Sequence, residues 1–144
     1  MSDLSDFILR PASDADRPAL RALWQRVFGD DDAYIDSFFE HMMPGGGCVV
    51  AEADGKPVSA MYVLRGLLLL PYRKKRLTAA YTYALATLPE YRGRGIGTAV
   101  YKAANDEALS GADAACVLPA EAGLYPFYEN AAGAKPLAFV REAR

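Results

Sequence analysis

Cysteine and histidine are nearly absent from this chain of 144 residues, which has two of the first and one of the second. Cys48 and Cys116 are too few for a disulfide framework, and neither sits in a metal-type spacing. With His41 as the sole imidazole, the common zinc ligand sets cannot be assembled, so no metal is expected. Net charge is also small: 16 Lys and Arg against 18 Asp and Glu leave −2, which gives nucleic-acid binding no electrostatic support. The longest apolar run, Gly66 to Pro71, falls far short of the ~20 residues that span a bilayer. The first residues, M-S-D-L-S-D, are acidic where a secretory signal would be basic. Reduced thiols buried in strands and a cytoplasmic location are the expectation.

What is present fits one soluble domain over residues 1–144. Hydrophobic residues make up 52% and charged residues 24%, and the length suffices for a real core. The most informative stretch is T-L-P-E-Y-R-G-R-G-I-G-T at 87–98. It closes an apolar strand-like run, Ala79 to Leu88, and opens a helix-like run, Ile96 to Leu109. Glycines let backbone N–H groups turn inward without a Cβ in the way. The next helix adds free N–H donors and a partial positive charge. Together these suit a phosphate-bearing ligand.

Three ligand patterns compete for that loop. A P-loop needs Gly-Lys followed by Ser or Thr, and no Lys stands in that frame. A dinucleotide fingerprint starting at Gly93 would meet Thr98 where its third glycine belongs. The pattern [QR]-x-x-G-x-[GA] is satisfied by Arg92, Gly95 and Gly97.

The remaining elements follow from periodicity. Phe7 to Arg10 reads as a strand, and Ser13 with Asp16 as a capping box. Leu20, Leu23, Trp24, Val27 and Phe28 keep helical spacing until Gly29. A second helix starts at Asp30–Asp32, carries Tyr34, Ile35, Phe38, Phe39 and Met42, and stops at Pro44. Cys48 to Ala53 and Val58 to Leu70 read as strands around an Asp54-Gly55 turn, with Gly66 as a candidate bulge. Arg73 to Arg76 reads as a basic loop, and Leu77 to Leu88 as the third long strand. Asp113 to Leu118 suits a buried parallel strand, Pro119 to Ala132 a helix, and Lys135 to Val140 a last strand. The order is α/β, antiparallel first and with a parallel crossover later.

Motif and order together resemble the GNAT family of N-acetyltransferases over about residues 5–140. The loop at 92–98 is similar to the family's coenzyme A loop, V-V-A-E-A-D-G-K-P-V to its second and third strands, and Y-P-F-Y-E-N-A-A-G-A to its closing motif. The resemblance implies a mixed, splayed central sheet flanked by helices, and acetyl-CoA as co-substrate with an amine acceptor of unread identity. It implies that Arg92, Gly93, Arg94, Gly95, Ile96, Gly97 and Thr98 hold the cofactor's phosphates. The strand at Leu85, Ala86 and Thr87 would pair with its pantetheine arm. Tyr128, at the family's tyrosine position, would protonate the leaving thiolate; Tyr125 is the weaker candidate. Glu121 stands where relatives often have Asn, and that role is not carried over. Tyr81 and Tyr83 occupy the stretch where many relatives have a carboxylate. Glu90, Glu52, His41 and a water chain stay open as the route for the amine proton. An inactive acyl-CoA-binding or regulatory module on the same fold is the alternative function. Relatives usually end in a two-strand hairpin, whereas one strand fits after Gly133 here. A shortened hairpin, a second copy of the chain in a homodimer, or a longer parent protein would each account for that.

Overall fold

Strand-period and helix-period segments alternate along the chain, and they assemble into one sheet covered on both faces. The computed structural model describes residues 6–43, 47–70, 75–117 and 124–132. The strands are β1 (Phe7–Pro11), β2 (Gly47–Ala53), β3 (Lys56–Leu70), β4 (Lys75–Thr87) and β5 (Ala114–Val117). The helices are α1 (Arg17–Phe28), α2 (Asp32–His41), α3 (Ile96–Ser110) and α4 (Tyr125–Ala132). Strand order is β1-β2-β3-β4-β5. The first four are antiparallel neighbours, and β5 joins β4 in parallel after the α3 crossover.

Helix ends follow local chemistry. The Asp16 carboxylate accepts the Ser13 N–H at 2.8 Å and binds Arg10 at 2.7 Å, fixing the entry to α1. Gly29 ends α1 in the left-handed conformation, φ +73°. Asp31 caps α2 by accepting the Tyr34 N–H at 2.8 Å. The apolar stripe of α1 buries Leu20, Leu23 and Trp24, and that of α2 buries Ile35, Phe38 and Phe39. Each such side chain contributes roughly 1.5–3 kcal/mol on burial. These residues pack with Val50, Ala60 and Tyr62 on one sheet face, while α3 and α4 pack Val100, Tyr101, Ala104 and Tyr128 on the other. Among the described residues no helix is long and apolar enough to cross a membrane.

The structure corrects two local expectations. Gly66 is not a bulge: it sits in register opposite Ala79. The irregularity lies further along, where Ala60 and Tyr62 of β3 face Ala86 and Tyr83 of β4. The extra β4 residue is taken up at Ala84, whose φ is +59°. Lys75 and Arg76 belong to β4 rather than to a loop, because β3 and β4 pair out to Leu70 and Lys75. The expected helix at 119–132 is described only from residue 125, and the strand at 135–140 and Glu121 lie outside the described residues.

Candidate active site

The β4 ladder with β5 covers four pairs and ends at Thr82↔Val117, while β4 itself runs on to Thr87. From Tyr83 to Thr87 the described partner is β3 alone. This is the edge predicted to receive a ligand arm. Two of its carbonyls already have internal donors: Ser59 Oγ donates to the Ala86 oxygen at 2.9 Å, and Arg92 Nε to the Thr87 oxygen at 3.0 Å. A carbonyl has two lone pairs, so these bonds orient the edge without exhausting it.

The chain leaves β4 through a short 3-10 turn, Pro89–Tyr91, and then the glycine loop. Gly93 and Gly95 both lie in the left-handed region, at φ +79° and +80°. An L side chain there would cost about 1–2 kcal/mol. Gly95 is also the residue from which α3 begins, and its carbonyl accepts the Ala99 N–H at 3.1 Å. The first N–H groups of α3 at Ile96, Gly97 and Thr98 therefore point out of the helix end beside the loop. Gly97 is needed for a different reason. A Cβ there would meet Thr87 Oγ1 at 3.2 Å, so its bare Cα lets α3 lie against the end of β4.

Loop side chains are tethered around this turn. Arg94 lies over the Tyr91 ring, 5.2 Å from its centroid, and the Tyr91 hydroxyl donates to Asp54. Arg92 spends its Nε on Thr87, and its planar head carries the rest of its donors on the Nη groups. Ser59, fully buried, also shares a hydrogen bond with Thr87 Oγ1 at 2.8 Å. It locks β3 to the strand end that the loop leaves from.

Tyr128 is buried on α4 against α3. Its ring meets Tyr101 edge-on at 4.8 Å and Phe127 at 5.0 Å. Burial raises its pKa above the ordinary phenol value, and the neighbouring Tyr81 raises it further. It is therefore a protonated phenol at neutral pH. Of Tyr125, the structure describes the backbone as the first residue of α4.

The carboxylate candidates do not converge on one point. Glu52 pairs with Arg10 at 3.0 Å, and Glu90 with Arg26 at 2.8 Å. His41 is largely exposed on α2, 3.9 Å from Glu40. Among the described residues no group of three or more His, Cys, Asp or Glu could hold a metal ion. The Cys48 thiol is pushed up to about 12 by burial and by Asp16, and so stays neutral.

Two features of the site escape a reading of the sequence. One is the Ala84 bulge, since alanine carries no signal for positive φ. The other is a cavity of about 640 Å³ between α2 and the sheet, beside Tyr81 and Tyr83.

Comparison with known proteins agrees with this fold. The sequence profile described as an acetyltransferase (GNAT) domain matches residues 9–131. No curated protein matches the chain by sequence. Among solved structures, a putative acetyltransferase from Agrobacterium tumefaciens is 25% identical with a TM-score of 0.73, covering 95% of this chain and 99% of its own. Glucosamine-6-phosphate N-acetyltransferase from Arabidopsis thaliana shares the fold at 18% identity and TM-score 0.71, covering 95% and 97%. Aminoglycoside N-acetyltransferase AAC(6')-Iy, solved in complex with CoA, shares it at 16% identity and TM-score 0.74, covering 96% and 93%. A five-stranded mixed sheet, a glycine loop between β4 and α3, and a profile match over most of the chain lead to one assignment: this chain belongs to the GNAT acetyltransferase family.

Proposed function

We propose that the chain transfers the acetyl group of acetyl-CoA to a primary amine. The observation that carries this reading is the left-handed pair Gly93 and Gly95, which turns the chain from the open end of β4 into the head of α3. The N–H groups of 92–98, with Arg92 and Arg94 beside them, would hold the pyrophosphate and 3′-phosphate of coenzyme A. The pantetheine arm would lie along Leu85, Ala86 and Thr87 as an added strand.

In the transfer, the neutral amine nitrogen attacks the thioester carbonyl carbon. A C–N bond forms and the C–S bond breaks, so the sulfur leaves with the electron pair. Tyr128 gives that thiolate its proton and is recharged from solvent, while the new amide loses its extra proton to water. Two-substrate positioning in one complex supplies much of the acceleration. The test is thiol release from acetyl-CoA with a panel of amines, with calorimetry of acetyl-CoA binding alongside. Binding with amine-dependent thiol release is the expected outcome. No binding would refute the assignment.

A second reading, an acyl-CoA-binding module without turnover, draws on one observation. Glu52 and Glu90 are both engaged by arginines rather than aimed at a shared site. Tight acetyl-CoA binding with no thiol release for any amine would select it.

A further inference from the structure

The cavity between α2 and the sheet has a chemistry of its own. About 640 Å³ is within the range of sites for small organic molecules. Its walls are Tyr34 and Phe38 from α2 and Met42 just past its end, with Leu64 from β3 and Tyr81 and Tyr83 from β4. Its floor is hollow for a definite reason. Gly66 and Ala79 face each other in the β3–β4 ladder, next to the Leu64–Tyr81 pair. A Cβ built on Gly66 would meet nothing within 4 Å. Two minimal side chains, directly opposed on a face otherwise made of leucine and tyrosine, leave the space.

The cavity also extends across β4 to β5. Cys116 of β5 lines it and pairs with Tyr81, one step before the β4–β5 ladder ends. Tyr81 on its wall is close enough to Tyr128 to act on it electrostatically.

Its polar groups are phenols. Tyr34 and Tyr83 share a hydrogen bond at 3.2 Å. That bond, then burial, pushes Tyr83 up to about 12, so it is neutral at physiological pH. Arg65 contributes to the rim, but its guanidinium is turned toward α3, 3.6 Å from Glu107. No Asp or Glu lines the cavity among the described residues. A polycationic amine would lose water around each charge here and find no anion in exchange. Aromatic faces favour a flat apolar body, and tolerate a single cation.

We propose that this cavity binds the acceptor, and that the acceptor is a primary amine with one flat aromatic body and no second charge. The proposal rests on the acetyltransferase reading and specifies its substrate class.

Thiol release with 2-phenylethylamine, ethylamine and spermidine tests it, together with calorimetry of acetyl-CoA and of 2-phenylethylamine on the CoA-loaded protein. We expect kcat/KM for 2-phenylethylamine to exceed that for spermidine at least tenfold. Gly66→Phe should fill the cavity and lower kcat/KM for 2-phenylethylamine at least tenfold, ethylamine much less, with the acetyl-CoA Kd within twofold. Ala79→Leu narrows the same space from the opposite strand, and serves if thermal melting shows that Gly66→Phe does not fold. Preference for spermidine, or equal losses on all amines, would overturn the proposal and leave the acetyltransferase reading standing. So would 2-phenylethylamine giving neither turnover nor binding heat while acetyl-CoA binds. Failure of acetyl-CoA itself to bind would overturn both.

Discussion

Replacing Tyr128 with phenylalanine removes one oxygen and should leave its ring in place. The ring packs edge-on against Tyr101 at 4.8 Å and Phe127 at 5.0 Å, and the residue is only 8% exposed. Phenylalanine keeps those contacts, so stability should move by no more than about 1 kcal/mol. The chemical loss should be much larger. A positioned proton donor is worth roughly 10²–10⁴ in rate, or about 2.7–5.5 kcal/mol of barrier at 1.36 kcal/mol per tenfold. Burial and Tyr81 both raise the Tyr128 pKa, so the donor stays protonated through neutral pH. The alkaline fall in kcat due to it should then lie above the ordinary phenol value of about 10. Thiol-release kinetics across pH, a thermal melt and calorimetry with acetyl-CoA separate the terms. We expect kcat to drop by that factor, with melting temperature and acetyl-CoA Kd nearly unchanged. Wild-type kcat in Tyr128→Phe would refute the assignment. An activity loss matched by an equal loss of stability or cofactor affinity would place Tyr128 in packing alone.

Gly95→Leu should weaken acetyl-CoA binding at least tenfold, whereas Gly29→Leu, at nearly the same φ but far along the chain from the loop, should cost similar stability and leave binding intact; calorimetry and thermal melts check both. The hydrogen bond from Arg10 holds Asp16 down to about 2, against burial that pushes it up, so its stabilisation is complete above the unfolded value near 3.9 and fades as pH falls toward 2. Asp16→Asn should therefore lower stability at pH 7 by about 2 kcal/mol and flatten its dependence between pH 5 and 2, read by urea unfolding. Ser59→Ala should cost roughly 1–3 kcal/mol in the same assay and raise the KM for acetyl-CoA, because the Ala86 carbonyl loses its donor and the Thr87 hydroxyl its hydrogen-bond partner.

How far the sequence reveals this molecule depends on the range of the interaction. Helical spacing in Leu20, Leu23 and Trp24, the Gly29 stop and the Asp31 cap are local, and the structure reproduces them. The glycine loop was equally legible, since positive φ at Gly93 and Gly95 needs no knowledge of neighbouring strands. The separate role of Gly97 was not, because it depends on Thr87 across the strand–helix contact. The cavity was hidden for the same reason. Gly66 suggests a bulge until the register sets it opposite Ala79, and only then does a small residue become a hollow. The engagement of Glu52 by Arg10 spans 42 positions, and that of Glu90 by Arg26 spans 64, so sequence inspection left both open as bases.

The Ala84 bulge joins these pieces. Before it, strand alternation sends Tyr81 and Tyr83 to the α2 side, where they wall the cavity. An unbroken alternation would send Leu85 and Thr87 the same way. Instead Ala84 follows Tyr83 into the α1–α2 cluster, Leu85 turns to the α3 cluster, and Ala86 returns. Thr87 thereby meets Ser59 and comes to lie where Gly97 makes room for it. One alanine held at positive φ, at a cost of about 1–2 kcal/mol, thus reverses the faces of β4 within a few residues. The upstream half of the strand serves the proposed acceptor cavity and the downstream half the proposed cofactor edge. A regular strand could not present both tyrosines to one side and Leu85 with Thr87 to the other.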